Sequence, residues 1–101
     1  LQDGTIDCIA SDHSPHASHE VDVPFDEAPF GAAQLESAVG ATLTHLTHAG
    51  HLSPLETVRK LSTTPASILR LDAGTLMPDA LPVAQVTVID PDCRWTFDRH
   101  R

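Results

Sequence analysis

The sequence has 101 residues, of which 41% are hydrophobic, and this size corresponds to about one ordinary domain or less. Fourteen acidic residues outnumber six basic ones, so the formal net charge is −8, and no segment concentrates lysine or arginine. A nucleic-acid partner is therefore not expected, because binding to a phosphate backbone needs a basic surface.

The cysteines and the apolar runs bear on the cellular compartment. Cys8 and Cys93 lie far apart, match no metal or redox spacing, and are too few for a disulfide framework. No run approaches the roughly 20 apolar residues of a membrane span, and the first residues lack the pattern of a signal peptide. These features predict a soluble, cytoplasmic protein without a membrane partner.

The chain opens with a short apolar run that continues into a long polar loop. Residues 5–11 predict a strand, and their nearly unbroken apolar character is typical of a strand buried on both faces in a parallel sheet. Such a strand needs ladder partners that this chain does not offer, so we expect a portion of a larger protein. Residues 12–31 form the loop, and connections of this length often bind ligands.

A first amphipathic helix is expected over residues 32–49, ahead of Gly50, which can end a helix. Its apolar residues recur every three or four positions: Leu35, Val39, Leu43 and Leu46. A second helix is expected from the capping-box sequence at residues 53–56 to about Leu61. Thr64-Pro65 repeats the signal of a cap followed by proline, so a third, short helix is expected before the turn at residues 72–74.

The last part of the chain predicts a small β unit. Residues 83–89 have the best strand pattern in the sequence, residues 90–92 form a turn, and residues 94–97 are a candidate partner strand. The predicted order is therefore strand, long loop, helices and a small β unit.

The segment ASDHSPH, residues 10–16, directly follows the first predicted strand. In parallel α/β folds, and especially in β/α barrels, side chains at the carboxyl end of a strand face the active site. Asp12, His13 and His16 are therefore candidates for catalysis or metal binding, although their spacing alone is equally compatible with a solvated loop.

Phe30-Gly31 directly precedes the first predicted helix. Amides at a helix start are unpaired and can hold an anionic or carbonyl oxygen, and glycine permits close approach. An ordinary turn with a cap explains the pair equally well.

Several segments together resemble the C-terminal quarter of bacterial dihydroorotase, a family of the amidohydrolase superfamily. The matching segments are DGTIDCIASDHSPH (3–16), PFDEAPFG (24–31), Leu35-Glu36, KLSTTPASIL (60–69) and VTVIDPD (86–92). The most specific feature is Asp-His-x-Pro-His followed by Pro-Phe-x-Glu-Ala-Pro-Phe-Gly.

The resemblance implies an α/β fold. It places the chain in the C-terminal part of a (β/α)8 metal-dependent hydrolase barrel, which contributes the last strand, a long loop and helices, plus strands of a small β subdomain. Residues 1–80 correspond to the end of the barrel, with residues 5–11 as its last strand. Residues 81–101 correspond to part of the composite β subdomain.

The resemblance also implies a reaction, the reversible cyclisation of N-carbamoyl-L-aspartate to dihydroorotate in de novo pyrimidine biosynthesis, at a site with one or two Zn²⁺ ions. Asp12 matches an aspartate that binds zinc and acts as general base and acid. His16 matches a histidine that contacts the substrate, and Phe30 and Gly31 match a pair whose backbone contacts the bound ring. His13 receives no role.

Most zinc ligands of the family are expected upstream of Leu1, so the 101-residue chain alone is expected to be inactive. Two alternatives stay open. One is another cyclic amidase, such as an allantoinase or a hydantoinase. The other is a non-catalytic, dihydroorotase-like subunit that scaffolds aspartate transcarbamoylase. The expected partners are a small-molecule substrate and either a second copy of the enzyme or aspartate transcarbamoylase.

Overall fold

A computed structural model of the chain describes residues 1–77 and 86–98, in which the regular elements are short helices. Helix α1 spans Ser18–Val21 and lies within the long loop. Helix α2 spans Ala38–Thr42 and continues as a π-helical turn over Leu43–Thr47. Helix α3 spans Pro54–Val58 and is followed by a π-helical turn over Arg59–Thr63 and by α4 over Thr64–Ile68. No helix in these described ranges is long and apolar enough to cross a membrane.

The first predicted helix is shorter than expected at its start. Its helical path begins with a turn at Gln34, whose carbonyl accepts hydrogen bonds from the amides of Ser37 at 3.1 Å and Ala38 at 2.9 Å. Ala32 instead forms an isolated parallel bridge with His13, so the chain before Gln34 pairs with the segment around His13 and does not join the helix. The predicted end is confirmed, because Gly50 takes a φ of +76° just after the last turn.

The second helical run, which comprises the consecutive segments Pro54–Val58, Arg59–Thr63 and Thr64–Ile68, begins at the predicted capping box. The Glu56 amide donates to Ser53 Oγ at 3.2 Å, and the Ser53 amide donates to the Glu56 carboxylate at 2.8 Å. Hydrogen bonds to Ser53, chiefly to its side chain and secondly to its backbone, lower the pKa of the Glu56 carboxyl below its ordinary value. The charged form of Glu56 is therefore favoured by folding.

Glu56→Gln is expected to destabilise the full-length protein at neutral pH and to have less effect in acid. Because folding lowers the pKa of Glu56, its contribution is present above the unfolded-state pKa and is lost as the pH falls through the folded-state pKa. Denaturant unfolding at pH 7 and at about pH 4 measures this, since glutamates titrate in that range. Glu36→Gln, at an exposed glutamate outside the capping box, is the control. A difference from wild type that is the same at both pH values would contradict the prediction.

The predicted break before a third helix is wrong, although α4 lies where that helix is expected. Thr63 and Thr64 both have right-handed helical dihedral angles, with φ/ψ of −62°/−45° and −68°/−48°, so the chain stays helical from Pro54 to Ile68. Pro65 lacks an amide donor, and in an α-helix its ring clashes with the carbonyl four residues earlier. The π-helical turn just before it widens the helix and gives the ring room.

Threonine side chains lie at the centre of the packed helices. Among the described residues Thr57 is the most buried, at 2% exposure, and its hydroxyl is 2.7 Å from the hydroxyl of Thr47 in the π-helical turn after α2. Leu52 and Ala66 are the buried hydrophobic residues of the described part of the chain. Many large apolar side chains are exposed in the same part, so its own core is small.

Thr57→Val is expected to lower the free energy of unfolding of the full-length protein by about 1–2 kcal/mol, because valine keeps the shape but leaves the Thr47 hydroxyl without its partner. Denaturant unfolding measures this. Thr44→Val, at an exposed threonine of the first helical run, is the matched control and should change stability by less than about 0.5 kcal/mol. Equal losses in the two variants would show that the buried pair has no special role.

Residues 5–11 form no strand within the described part of the chain. They lie instead along the second helical run, where the Ile9 amide donates to the Lys60 carbonyl at 2.9 Å and the Lys60 ammonium donates to the Ile6 carbonyl at 2.7 Å. Lys60 therefore holds this segment at two points. A sheet needs a second strand, and the barrel stays a prediction.

The predicted β unit near the end lies partly outside the described residues, which resume at Val86. The described residues 86–89 and 94–97 form no strand. The predicted turn at residues 90–92 is confirmed, because the Cys93 amide reaches the Asp90 carbonyl at 3.4 Å and the Asp92 amide donates to Asp90 Oδ1 at 3.0 Å. The indole of Trp95 packs against the ring of Phe97 edge-on, with centroids 6.3 Å apart.

Candidate functional site

The long loop is closed at its base by two short segments, residues 12–16 and residues 30–35, which together we call the neck. The Ser14 amide donates to the Ala32 carbonyl at 3.0 Å, beside the parallel bridge between His13 and Ala32. His16 Nε2 donates to the Phe30 carbonyl at 2.9 Å. The ends of the loop at residues 17–29 are therefore held together by backbone and histidine contacts.

His13 caps the start of the helical path that leads to α2. Its Nδ1 atom accepts hydrogen bonds from the amides of Gln34 and Leu35, both at 3.0 Å. An imidazole nitrogen that accepts must be unprotonated, so Nδ1 carries no hydrogen in this arrangement. The first amides of a helical turn have no partner within the turn, and here a side chain from a distant segment supplies one.

Gly31 lies where the two neck segments are in close contact. Its φ of +122° belongs to the region that favours glycine. A Cβ atom at this position would lie 2.6 Å from the Cβ of Ser14, 3.0 Å from the Ser14 carbonyl oxygen and 3.2 Å from His16 Nε2. The contact between the segments therefore requires a residue without a side chain.

Asp12 stands at the start of the neck and is exposed to solvent. Its φ of +49° is left-handed, a conformation that aspartate and asparagine tolerate better than most residues. Ser14 Oγ lies 3.4 Å from the Asp12 carbonyl oxygen, at the limit of a hydrogen bond. The strained backbone and the exposed carboxylate occur at the same residue, as is often seen at functional sites.

A zinc ion fits Asp12 in donor chemistry, because zinc accepts carboxylate oxygen. Within residues 1–77 and 86–98, however, no three His, Cys, Asp or Glu residues are grouped so that they could hold a metal ion. Asp12 can therefore serve as one ligand of a zinc site only together with ligands from outside the described residues.

The structure brings three of the four predicted site residues together and places Asp12 at the start of the same segment. His16, Phe30 and Gly31 meet at one hydrogen bond and one close approach. The side chain of Phe30 is fully exposed, so its carbonyl, and not its ring, is the group that the neck holds. The roles of these residues toward a substrate stay predictions.

Sequence reasoning gives no role to His13 or Ser14, and both hold the neck. One signal does indicate that the amides before α2 lack a local cap. The residues at the start of the first helix, Ala32, Ala33, Gln34 and Leu35, include none of the usual capping side chains, Ser, Thr, Asp or Asn. The local sequence therefore offers no side-chain cap at this point, and it does not identify His13 as the group that supplies one.

Comparison with known proteins gives several close relatives. The chain is 52% identical over 101 residues to the dihydroorotase of Pelotomaculum thermopropionicum, and this alignment covers 100% of this chain and 23% of the relative. It is 45% identical over 95 residues to the dihydroorotase of Chlorobaculum tepidum, covering 94% of this chain and 21% of the relative. With the dihydroorotase of Geobacter metallireducens it shares 46% identity over 98 residues, covering 97% of this chain and 22% of the relative.

No family model and no solved structure matches the chain. The alignment with these relatives nevertheless extends over nearly every residue, so the chain corresponds to a portion of such a protein. It belongs to the dihydroorotase family and spans about a fifth of the length of these relatives, which fits the C-terminal fragment that the sequence predicts.

Proposed function

We propose that the full-length protein carrying this segment is a dihydroorotase, which catalyses the reversible cyclisation of N-carbamoyl-L-aspartate to dihydroorotate. The observation that supports this most directly is the 52% identity to a dihydroorotase across all 101 residues. The neck adds support, because it joins His16 to the Phe30-Gly31 backbone, and these are the residues that the family resemblance implies for substrate binding.

The proposed setting is the end of a (β/α)8 barrel, with residues 5–11 as the last strand and residues 81–101 in a small β subdomain. Residues 5–11 lie along the second helical run at Lys60 and lead directly to Asp12, as a barrel strand leads to an active site. An experimental structure of the full-length protein tests this. Finding residues 5–11 outside any sheet would contradict it.

In the direction of hydrolysis, water attacks the ring amide carbonyl, a C–O bond forms and the C–N bond breaks. A zinc ion bound by Asp12 and by ligands outside this chain would polarise the carbonyl and lower the pKa of the water. The Asp12 carboxylate accepts the proton of the attacking water and delivers it to the departing nitrogen, which regenerates the carboxylate. Cyclisation follows the same steps in reverse.

His16 and the Phe30-Gly31 backbone bind the substrate in this proposal. His16 Nε2 donates to the Phe30 carbonyl, so Nδ1 is the ring nitrogen that remains for the substrate: it accepts from a substrate N–H when the ring is neutral and donates to a substrate carboxylate when the ring is cationic. The absence of a side chain at Gly31 lets the Phe30-Gly31 backbone lie directly against Ser14 and His16, and this contact sets the position of the backbone for the dihydroorotate ring. The neck would therefore orient the substrate while Asp12 transfers the proton.

The test is an assay of the purified full-length protein with dihydroorotate and N-carbamoyl-L-aspartate, with allantoin and hydantoin as competing candidates. We expect turnover of the first pair only, loss of activity after chelation, and recovery with zinc. Turnover of allantoin or hydantoin without dihydroorotate would replace the proposal by another cyclic amidase. No turnover, together with stabilisation of aspartate transcarbamoylase, would indicate a scaffold subunit. The isolated 101-residue polypeptide is expected to be inactive in the same assay.

The proposed enzyme is cytoplasmic and acts on small, soluble substrates. It is proposed to self-associate or to bind aspartate transcarbamoylase, as the family resemblance implies. Light scattering of the purified protein with and without aspartate transcarbamoylase distinguishes the two assemblies, and a monomer in both samples would contradict them.

A further inference from the structure

We infer that His13 is a positioning residue that fixes the substrate-binding geometry of the neck. This inference rests on the proposed function and deepens it. Nothing in the matched motif gives His13 a role beyond its place beside Asp12. The structure gives it two hydrogen bonds to the backbone of the opposite neck segment.

His13 and His16 hold the opposite segment at two separated points. His16 binds the carbonyl of Phe30 at one end, and His13 binds the amides of Gln34 and Leu35 at the other. The Ser14 amide binds the carbonyl of Ala32 between them. Three consecutive contacts thus set both the position and the direction of residues 30–35.

Gly31 makes these contacts necessary. A glycine backbone has little intrinsic preference for one conformation, so its φ of +122° must be imposed by the surrounding contacts. If the His13 side chain no longer binds Gln34 and Leu35, the Ser14–Ala32 hydrogen bond alone holds the chain after Gly31, while His16 holds the chain before it. The Phe30-Gly31 backbone would then lose its alignment with the substrate, although Asp12 would keep its own side chain.

Three substitutions of His13 test this in the full-length protein. Asparagine places its Oδ1 at the same distance from the backbone as imidazole Nδ1, so His13→Asn keeps the acceptor. His13→Gln moves the acceptor one carbon further out, and His13→Leu removes it. The loss of two hydrogen bonds is expected to raise KM for dihydroorotate about tenfold in His13→Gln and His13→Leu, with kcat changed less than about threefold.

His13→Asn is expected to leave KM within about threefold of the wild-type value, since it keeps both hydrogen bonds. His19→Leu, at an exposed histidine within the same loop, is the matched control and should leave KM unchanged. Hydrogen exchange of the peptide covering residues 31–36 gives a second readout. Exchange should be faster in His13→Gln and His13→Leu than in wild type and in His13→Asn.

Wild-type KM and wild-type exchange in His13→Leu would overturn the inference, as would equal damage in the Asn and Gln variants. A loss that falls on kcat with an unchanged KM would also overturn it, because the residue would then act in the chemistry. If His13→Leu fails to fold, the comparison of Asn with Gln still decides. An inactive wild-type enzyme would overturn the proposed function alone, and hydrogen exchange would still show whether His13 fixes the turn.

Discussion

Asp12→Asn is expected to lower kcat for dihydroorotate hydrolysis by about 10³-fold or more in the full-length enzyme. The substitution removes both the carboxylate that accepts and returns the proton and an anionic oxygen for zinc, and general acid–base catalysis alone typically accounts for about 10²–10⁴. Steady-state rates in both directions, together with the zinc content of the purified variant, measure the effect.

Asparagine is the appropriate replacement because of the backbone at this position. The φ of +49° at Asp12 is left-handed, and asparagine accepts this conformation readily, whereas alanine would add strain to the loss of the carboxylate. Asp7→Asn, at an exposed aspartate shortly before the site, is the control and should keep wild-type rates. More than a tenth of wild-type kcat in Asp12→Asn would rule out the role of Asp12 as proton carrier.

Gly31→Ala is expected to raise KM for dihydroorotate by about 5- to 150-fold, corresponding to about 1–3 kcal/mol of backbone strain expressed at the substrate contact. The new Cβ atom would lie 2.6 Å from the Cβ of Ser14, a separation that real Cβ atoms essentially never show. The two neck segments must therefore move apart. Initial rates over a range of dihydroorotate concentrations separate KM from kcat.

Two variants show whether the close contact itself is responsible. Gly50→Ala introduces a methyl group at a φ of +76° with nothing within 4 Å, so it should reduce stability but leave KM unchanged. Adding Ser14→Gly to Gly31→Ala removes the closest atom and should recover part of the KM change, which a double-mutant cycle quantifies. A wild-type KM in Gly31→Ala would mean that the close approach is not needed for binding.

Features specified by a few neighbouring residues could be predicted from the sequence. The capping box at Ser53 and Glu56 and the helix end at Gly50 are local, and both are confirmed. The family resemblance rests on several segments along the chain, chiefly Asp-His-x-Pro-His followed by Pro-Phe-x-Glu-Ala-Pro-Phe-Gly, and each of them is a string of neighbouring residues. Local hydrogen bonding and backbone preference are enough to fix such features.

Features that depend on distant partners could not be predicted. The cap supplied by His13 joins residues 21 and 22 positions apart, and no local pattern encodes it. Pro65 carries the usual sign of a helix start, yet the preceding π-helical turn lets the helix continue through it. Residues 5–11 have a strand pattern, but a strand is defined only by its pairing with another strand.

The neck also determines where the length of the chain can change. The hydrogen bond between His16 Nε2 and the Phe30 carbonyl oxygen, 2.9 Å long, joins the two ends of the loop at residues 17–29. The ends therefore stay together however many residues lie between them. Doubling the length of such a loop costs only about 0.6 kcal/mol in closure entropy. Residues 10–12 have no such freedom in length. Ile9, just before them, is hydrogen-bonded to Lys60, and His13, just after them, is hydrogen-bonded to Gln34. Insertions among relatives are therefore expected in residues 17–29 and not in residues 10–12, which leaves the loop free to diverge while Asp12 stays in place.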